Sequence, residues 1–249
     1  MSKKILLLKK YNTNIEKNIN ISKNINSILN FIDKIYIINL DERKDRYKKC
    51  LSQLNDYNIT NFQRFSAIKP NFEDINPIIY KNYSSYLSHD KKKYIIGATG
   101  CKFSHRDIIK DAFEKNYENI LIFEDDFLFS GNFAINLDYY IKKVKNINWD
   151  MLYLGGNNKS QSIDKYCIKT NVNNIYKCKD VKCTHAYIIN KRLFPKILKD
   201  LETYSKEIDN YYFECIQPYY NTYIYDPMLV KQVESFSDIV QKNVKNFKI

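Results

Sequence analysis

Hydrophobic and polar positions fall into a regular order only from about residue 34 onward. Residues 9–30 are rich in Asn, Lys and Ile, with Ile15, Ile19, Ile21, Ile25 and Ile28 at loose helical spacing. They read as an extension, residues 1–30, ahead of a domain spanning 31–249. Lys34-Ile35-Tyr36-Ile37-Ile38-Asn39-Leu40 is nearly continuous, apolar and β-branched, which predicts a strand buried on both faces. A charged stretch from Asp41 to Arg46 follows, then Tyr47, Leu51 and Leu54 at helical spacing. Strand, charged turn and helix open an α/β unit. Asn61 to Ile68 predicts a second strand.

Residues 70–96 carry no clear period and read as a surface insertion. From Gly97 to Lys115 the spacing predicts a helix with Cys101, His105, Ile108 and Ala112 along one side. Asn119 to Phe123 is a second buried strand that runs straight into Glu124-Asp125-Asp126. Phe133, Leu137, Ile141 and Val144 mark an amphipathic helix. Asp150 to Gly156 predicts a strand ending in Gly-Gly, and a polar loop reaches to about Tyr176. Thr184 to Asn190 is strand-like, 192–201 helical, and Asp209 opens an aromatic helix through Ile216. Tyr223 to Tyr225 and Met228 to Val230 predict short strands. No repeat and no Pro/Gly/Ser linker divides residues 31–249.

Composition narrows the picture. Hydrophobic residues at 44% with charged residues at 27% exclude a largely disordered chain. Five glycines leave little material for a Gly-rich phosphate loop. The formal charge of +12 favours an anionic partner. The abundance of Lys, Asn, Ile and Tyr together, all with AT-rich codons, explains much of that charge without one. Six cysteines stand without CxxC spacing or a Cys/His cluster of zinc-site spacing; the nearest group, Cys178, Cys183 and His185, is irregular. Reduced thiols in a cytoplasmic protein are expected. The apolar run Ile5 to Leu8 is too short for a signal-peptide core or a membrane span, and no span is expected elsewhere.

Glu124-Asp125-Asp126 carries the most chemical information. Three carboxylates directly after a buried strand repel one another unless a cation sits among them. Strand ends of α/β sheets are where ligands bind. Glu124 and Asp126, as alternate residues, could face one side and share a hard ion such as Mg²⁺ or Mn²⁺; the alternative is an acidic turn that caps the next element. Arg43 and Arg46 after the first strand could hold phosphates through forked contacts, or form a solvated first helical turn. His105 and His185 each read as core histidines, the latter in a strand that could point at the site. Asp209 reads by default as a helix N-cap.

Taken together, "IYIINLDERKDRYKK", "GATGCKFSHRDIIKDA", "ILIFEDDFLF", "WDMLYLGG", "THAYIIN" and "SFSDI" occur in an order and spacing that resembles glycosyltransferase family 25 over roughly residues 33–240. That family includes lipooligosaccharide and procollagen galactosyltransferases. The resemblance implies an α/β fold, a single GT-A-type domain with a Rossmann-like, mostly parallel sheet flanked by helices. It implies inverting, metal-dependent transfer of a hexose, galactose or glucose, from a UDP-sugar to a hydroxyl of a glycan or glycoprotein, with Mn²⁺ or Mg²⁺ as cofactor and no specific nucleic-acid partner. Matched residue by residue, Glu124-Asp125-Asp126 stands where the family has its acidic metal motif, so Glu124 and Asp126 are expected to hold the metal, with His185 as a further candidate ligand. Asn39, Asp41, Arg43, Arg46, Ser104, His105 and Asp125 fall to the donor side. Asp209 matches a late acidic position and is the expected catalytic base. One departure stands out: the family often has a Glu ahead of its Gly-Cys motif, where this chain has Ile95-Ile96-Gly97-Ala98-Thr99. The 70–96 insertion and the 157–176 loop match nothing in the pattern and are expected to face the acceptor. Competing readings are a metal-dependent phosphoryl-transfer enzyme or nuclease, and a degenerate transferase domain without catalysis.

Overall fold

The computed structural model describes residues 30–84, 88–156, 162–233, 235–239 and 242–244. All but the last residue of the expected N-terminal extension lies outside them. The first strand, β1 (Lys34–Asn39), leads into helix α1 (Lys44–Asp56) and strand β2 (Phe62–Ser66), which pairs parallel with β1. Helix α2 (Lys91–Glu114) then carries the chain across to strand β3 (Asn119–Glu124), parallel to β1 on its other side. After β3 come a short strand β4 (Phe127–Phe129), helix α3 (Phe133–Val144) and strand β5 (Met151–Tyr153). A hairpin of β6 (Cys167–Lys169) and β7 (Ile175–Cys178) precedes β8 (Ala186–Asn190), helix α4 (Phe194–Asp200) and helix α5 (Ile208–Tyr211). Strands β9 (Thr222–Tyr225), β10 (Val230–Gln232), β11 (Ser235–Ser237) and β12 (Lys242–Val244) complete the described chain.

The main sheet has eight strands in the order β2-β1-β3-β8-β5-β9-β7-β6. Following the pairings outward from β1, only β8 and β7 run against the rest, so the sheet is mostly parallel in direction. Alternation along the buried strands sorts side chains into two cores. Ile35, Ile37, Leu121 and Phe123 join Cys50 and Leu54 of α1 and Phe133, Leu137 and Ile141 of α3 on one face. Tyr36, Ile38, Ile120 and Ile122 join Ile108, Ile109 and Ala112 of α2, Ile197 of α4 and Tyr211 of α5 on the other. Burial on both faces is why these strands are apolar runs rather than alternating ones. The result is the three-layer α/β arrangement that the family resemblance implies.

Connection β1-α1-β2 winds to one side of β1, and β2-α2-β3 crosses to the other. The C-terminal ends of β1 and β3 therefore flank a topological switch point, where open α/β sheets leave a crevice. Ile38 pairs with Glu124 in the register, so the Asn39–Arg46 turn and the acidic turn emerge side by side. Two glycines permit close approaches behind this edge. A Cβ on Gly100 would stand 2.1 Å from the Ile68 carbonyl oxygen, and one on Gly155 would stand 2.0 Å from that of Val230.

Several elements differ from the sequence expectation: β4, β11 and β12 were not expected, and the strand expected over Met228–Val230 lies at Val230–Gln232. Helix α2 begins six residues earlier than Gly97, because the Asp90 side chain caps it by accepting from the Lys93 amide (3.0 Å). The loop expected up to Tyr176 contains β6 and the start of β7; the Thr170 hydroxyl builds their turn, donating to the Ile175 carbonyl (2.6 Å) and accepting from the Val172 amide (3.1 Å). Asp209 is not an N-cap: Glu207 holds that place, and α5 runs on into a wider π turn over Tyr212–Ile216.

Candidate active site

A cleft of about 390 Å³ opens at the ends of β1 and β3. Asn39 and Leu40 line it from β1, Arg46 from α1, Cys101 and Ser104 from α2, and Glu124, Asp125 and Asp126 from the acidic turn. Asp238 and Ile239 close it from the C-terminal side, and Lys69 and Lys93 stand at its rim with largely exposed side chains.

Each carboxylate of the triplet has a different environment. Glu124 Oε1 accepts from the Thr184 hydroxyl (2.5 Å) and lies 3.3 Å from His105 Nε2. Burial raises its pKa, but these hydrogen bonds and the neighbouring imidazoles outweigh that and hold it below the usual carboxylate range. Asp125 accepts from Arg46 Nη1 (2.7 Å) and Asn39 Nδ2 (2.7 Å), yet burial still leaves its pKa above the usual value. Asp126 is pushed up to about 7, first by burial and then by the charge of Glu124. Its Oδ2 accepts from Gln232 (2.9 Å), while its Oδ1 is buried with no hydrogen-bond partner among the described residues.

That orphaned oxygen tests whether the residues suit a divalent cation. A buried acceptor left unsatisfied costs free energy, and the charge of Glu124 raises the pKa of Asp126, a repulsion that a cation between the two would relieve. Glu124 and Asp126 therefore fit a hard divalent ion. His185 is buried beside them: its backbone carbonyl accepts from the Glu124 amide (3.0 Å), its Nδ1 has no partner among the described residues, and burial lowers its pKa, which keeps the imidazole neutral as a metal ligand must be. It does not line the cleft.

The remaining expected site residues divide into those the fold brings to the cleft and those it does not. Asn39 is a junction: Nδ2 donates to Asp125 and to the Arg43 carbonyl (3.0 Å), and Oδ1 accepts from Arg64 Nε (2.9 Å). Ser104 lines the cleft but works as a brace, accepting from the Ile68 amide (2.8 Å) and donating to the Gly100 carbonyl (2.7 Å). Asp41 is turned outward onto Arg64 and Ser66. Arg43 is gripped by both oxygens of Asp45 and, at 2.5 Å, by Asp238. His105 is wholly buried behind Glu124, its Nδ1 2.8 Å from the Tyr187 hydroxyl. Asp209 stands outside the cleft lining, with its pKa pushed up to about 6 by burial and then by the charge of Glu207; the charge of Glu124 adds to this.

Sequence reasoning missed Lys69, Lys93, Asp238 and Cys101 as cleft residues. Lys69 sits just past the expected second strand, Lys93 lies in the 70–96 stretch without period, and Asp238 belongs to the SFSDI segment that carried the resemblance but no assigned role. Spacing did place Cys101 with His105 along one side of the helix, one turn apart, but nothing in the sequence gave that side a role in the cleft.

The profile of glycosyltransferase family 25 (LPS biosynthesis protein) matches residues 32–212. The chain belongs to glycosyltransferase family 25. Among curated relatives, the inactive glycosyltransferase 25 family member 3 of Homo sapiens is 28% identical over 134 residues, covering 49% of this chain and 22% of that protein. Procollagen galactosyltransferase 1-B of Xenopus laevis is 27% identical over 129 residues, covering 49% and 21%. The matched half of the chain thus spans about a fifth of the length of these family 25 relatives. Two solved structures are similar to it at low TM-scores. A glycosyltransferase involved in glycosylation of the major capsid of PBCV-1 has TM-score 0.45 and 10% identity over 78% of this chain and 81% of its own. A197 from STIV has TM-score 0.46 and 12% identity over 87% and 96%. Among the described residues of this family 25 chain, no helix is long and apolar enough to cross a membrane.

Proposed function

We propose that this chain is a metal-dependent, inverting hexosyltransferase that moves galactose or glucose from a UDP-sugar to a hydroxyl of a glycan or glycoprotein. One observation carries the reading: an acidic turn lies inside a cleft at the β1/β3 switch point, with the buried Asp126 Oδ1 lacking a partner among the described residues. Glu124 and Asp126 would hold Mn²⁺ or Mg²⁺, with His185 behind them. The ion, when bound, supplies charge neutralisation to the departing nucleoside diphosphate.

The protein's own groups supply the rest. Arg46, Lys69 and Lys93 give the cleft positive charge beside the phosphates, while Asn39 and Arg46 hold Asp125 and so fix the acidic turn. Inversion needs a base on the side opposite the leaving group to take the acceptor hydroxyl's proton. Asp209, which the resemblance matches to a late acidic position, is that base in this reading: it stands outside the cleft lining yet feels the charge of Glu124, and a carboxyl pushed up to about 6 is ionised at neutral pH and basic enough to accept a proton.

A donor-binding module without turnover is the second reading, favoured by the word "inactive" in the names of several relatives. Calorimetry with UDP tests the first step common to both. UDP is expected to bind more tightly with Mn²⁺ than with EDTA, and Asp126→Ala to abolish the difference. Equal affinity in EDTA would remove the metal from the proposal. Single-turnover transfer from a panel of UDP-hexoses then separates enzyme from module.

A further inference from the structure

Cys101 and His105 project from one face of α2, a turn apart, toward the end of β3. One ligand atom from each of Cys101, His105 and Glu124 lies within 4.8 Å of the other two. A tetrahedral ion with bonds of about 2.0–2.3 Å needs its donors roughly 3.3–3.8 Å apart, so side-chain rotations that close about 1 Å suffice. The imidazole is already oriented. Its Nδ1 lies 2.8 Å from the Tyr187 hydroxyl, which in turn lies 2.9 Å from that of Tyr212, and its Nε2 faces Glu124. An outer hydrogen bond on the non-ligating nitrogen is what metal-bound histidines carry, because it fixes both tautomer and ring plane. Thr184 steadies Glu124 from the other side. His105 is fully buried while Cys101 and Glu124 line the cleft, so a fourth coordination position would open into the cavity.

We propose that Cys101, His105 and Glu124 form a divalent-cation site at the back of the cleft, with a ligand set that selects a thiolate- and imidazole-preferring ion such as Zn²⁺ over Mg²⁺. Softness of the donors decides this: thiolate and imidazole suit Zn²⁺ and Co²⁺, whereas Mg²⁺ prefers oxygen and keeps its waters. The site shares Glu124 with the carboxylate pair Glu124/Asp126 but depends on neither Asp126 nor the transferase reading.

Cobalt is the probe. Chelator-treated full-length chain, given Co²⁺ alone, should develop a near-ultraviolet thiolate-to-cobalt absorption that Zn²⁺ displaces and millimolar Mg²⁺ does not. Cys101→Ser and His105→Gln should each lose it, with melting curves showing that both variants fold. Asp126→Asn should keep it. Tyr187→Phe, which touches no ligand but removes the hydroxyl that bonds His105 Nδ1 and Tyr212, should weaken Co²⁺ binding by about 10–100-fold. Absence of the band in the unaltered chain overturns the site, and so does a band that survives Cys101→Ser. Loss of Mn²⁺-dependent UDP binding in Asp126→Ala bears on the donor reading alone, so the two proposals fail separately.

Discussion

Arg46→Met, paired with Asp125→Asn, asks what the basic turn after β1 is for. Arg46 Nη1 meets Asp125 Oδ1 at 2.7 Å, and the two side chains are only 12% and 10% exposed. Replacing Arg46 by Met keeps its apolar stem and strands a buried carboxylate that retains Asn39 as hydrogen-bond donor. Breaking a buried pair from one side costs about 3–5 kcal/mol; with one donor left and some exposure, about 3 kcal/mol is expected here. Removing both charges relieves the penalty, so Arg46→Met/Asp125→Asn should regain much of the loss, giving a coupling well above the ~0.5 kcal/mol of independent sites.

The pH dependence has a definite sign. Burial already places the folded-state pKa of Asp125 above its unfolded value, and Arg46 works against that rise. Without Arg46 the pKa climbs further. A carboxyl with a raised folded-state pKa lends stability at pH below its unfolded value, and that stability is lost as pH rises through the folded value. The deficit of Arg46→Met should therefore shrink as pH is lowered from 7.5 toward 5, whereas that of the double variant should not. Urea unfolding of the four proteins at both pH values reads this directly. Arg46→Met within about 0.5 kcal/mol of the unaltered protein at pH 7.5, or an additive double variant, would refute the buried-tether reasoning. UDP affinity in the double variant then assigns the function. Recovery along with stability makes Arg46 a brace for the acidic turn; an affinity still about tenfold weak makes it a phosphate ligand.

Asp238→Asn releases one partner of Arg43 at the cleft edge, and an accessible pair of this kind is worth ~0–1 kcal/mol, so UDP should bind up to about fivefold more tightly by calorimetry if phosphate competes for that arginine; weaker binding would make Asp238 a donor contact instead. Lys102→Met removes the donor to the carbonyls of Ile79, Tyr204 and Lys206 (3.1, 2.7 and 3.1 Å); with about 1–3 kcal/mol for each buried acceptor left unsatisfied, a loss of ~3 kcal/mol or more should appear in urea melts, and a loss under ~1 would show that water replaces the ammonium. Asp209→Asn should keep UDP-hexose affinity and lower single-turnover transfer by ~10²–10⁴; in the unaltered chain the rate should rise with pH through about 6, as the base ionises, and a flat profile would move the base elsewhere.

How far the residues themselves disclosed this arrangement depends on where the determining physics lies. The strands β1 and β3 were legible because both faces are buried, which leaves a run of β-branched and aromatic residues with no other stable use. The acidic turn was legible for the complementary reason: Glu124-Asp125-Asp126 directly after such a run is costly unless something answers it. What answers it was not legible. The two arginines matched to the donor are held by carboxylates of the chain itself, Arg46 by Asp125 and Arg43 by Asp45 and Asp238, and no local spacing announces a partner 79 or 195 residues away. The same limit hid the Cys101–His105–Glu124 cluster. Two of its members form a helical i, i+4 pair, but the third arrives from a strand that only the crossover β2-α2-β3 brings alongside. Zinc-site spacing searches along the chain look for all ligands in sequence, whereas here the topology supplies the last one. Because β1 and β3 end in register at Ile38 and Glu124, whatever α2 presents at its Cys101–His105 turn faces the acidic triplet, so the donor cleft and the soft-ligand cluster are two consequences of one switch point in the sheet.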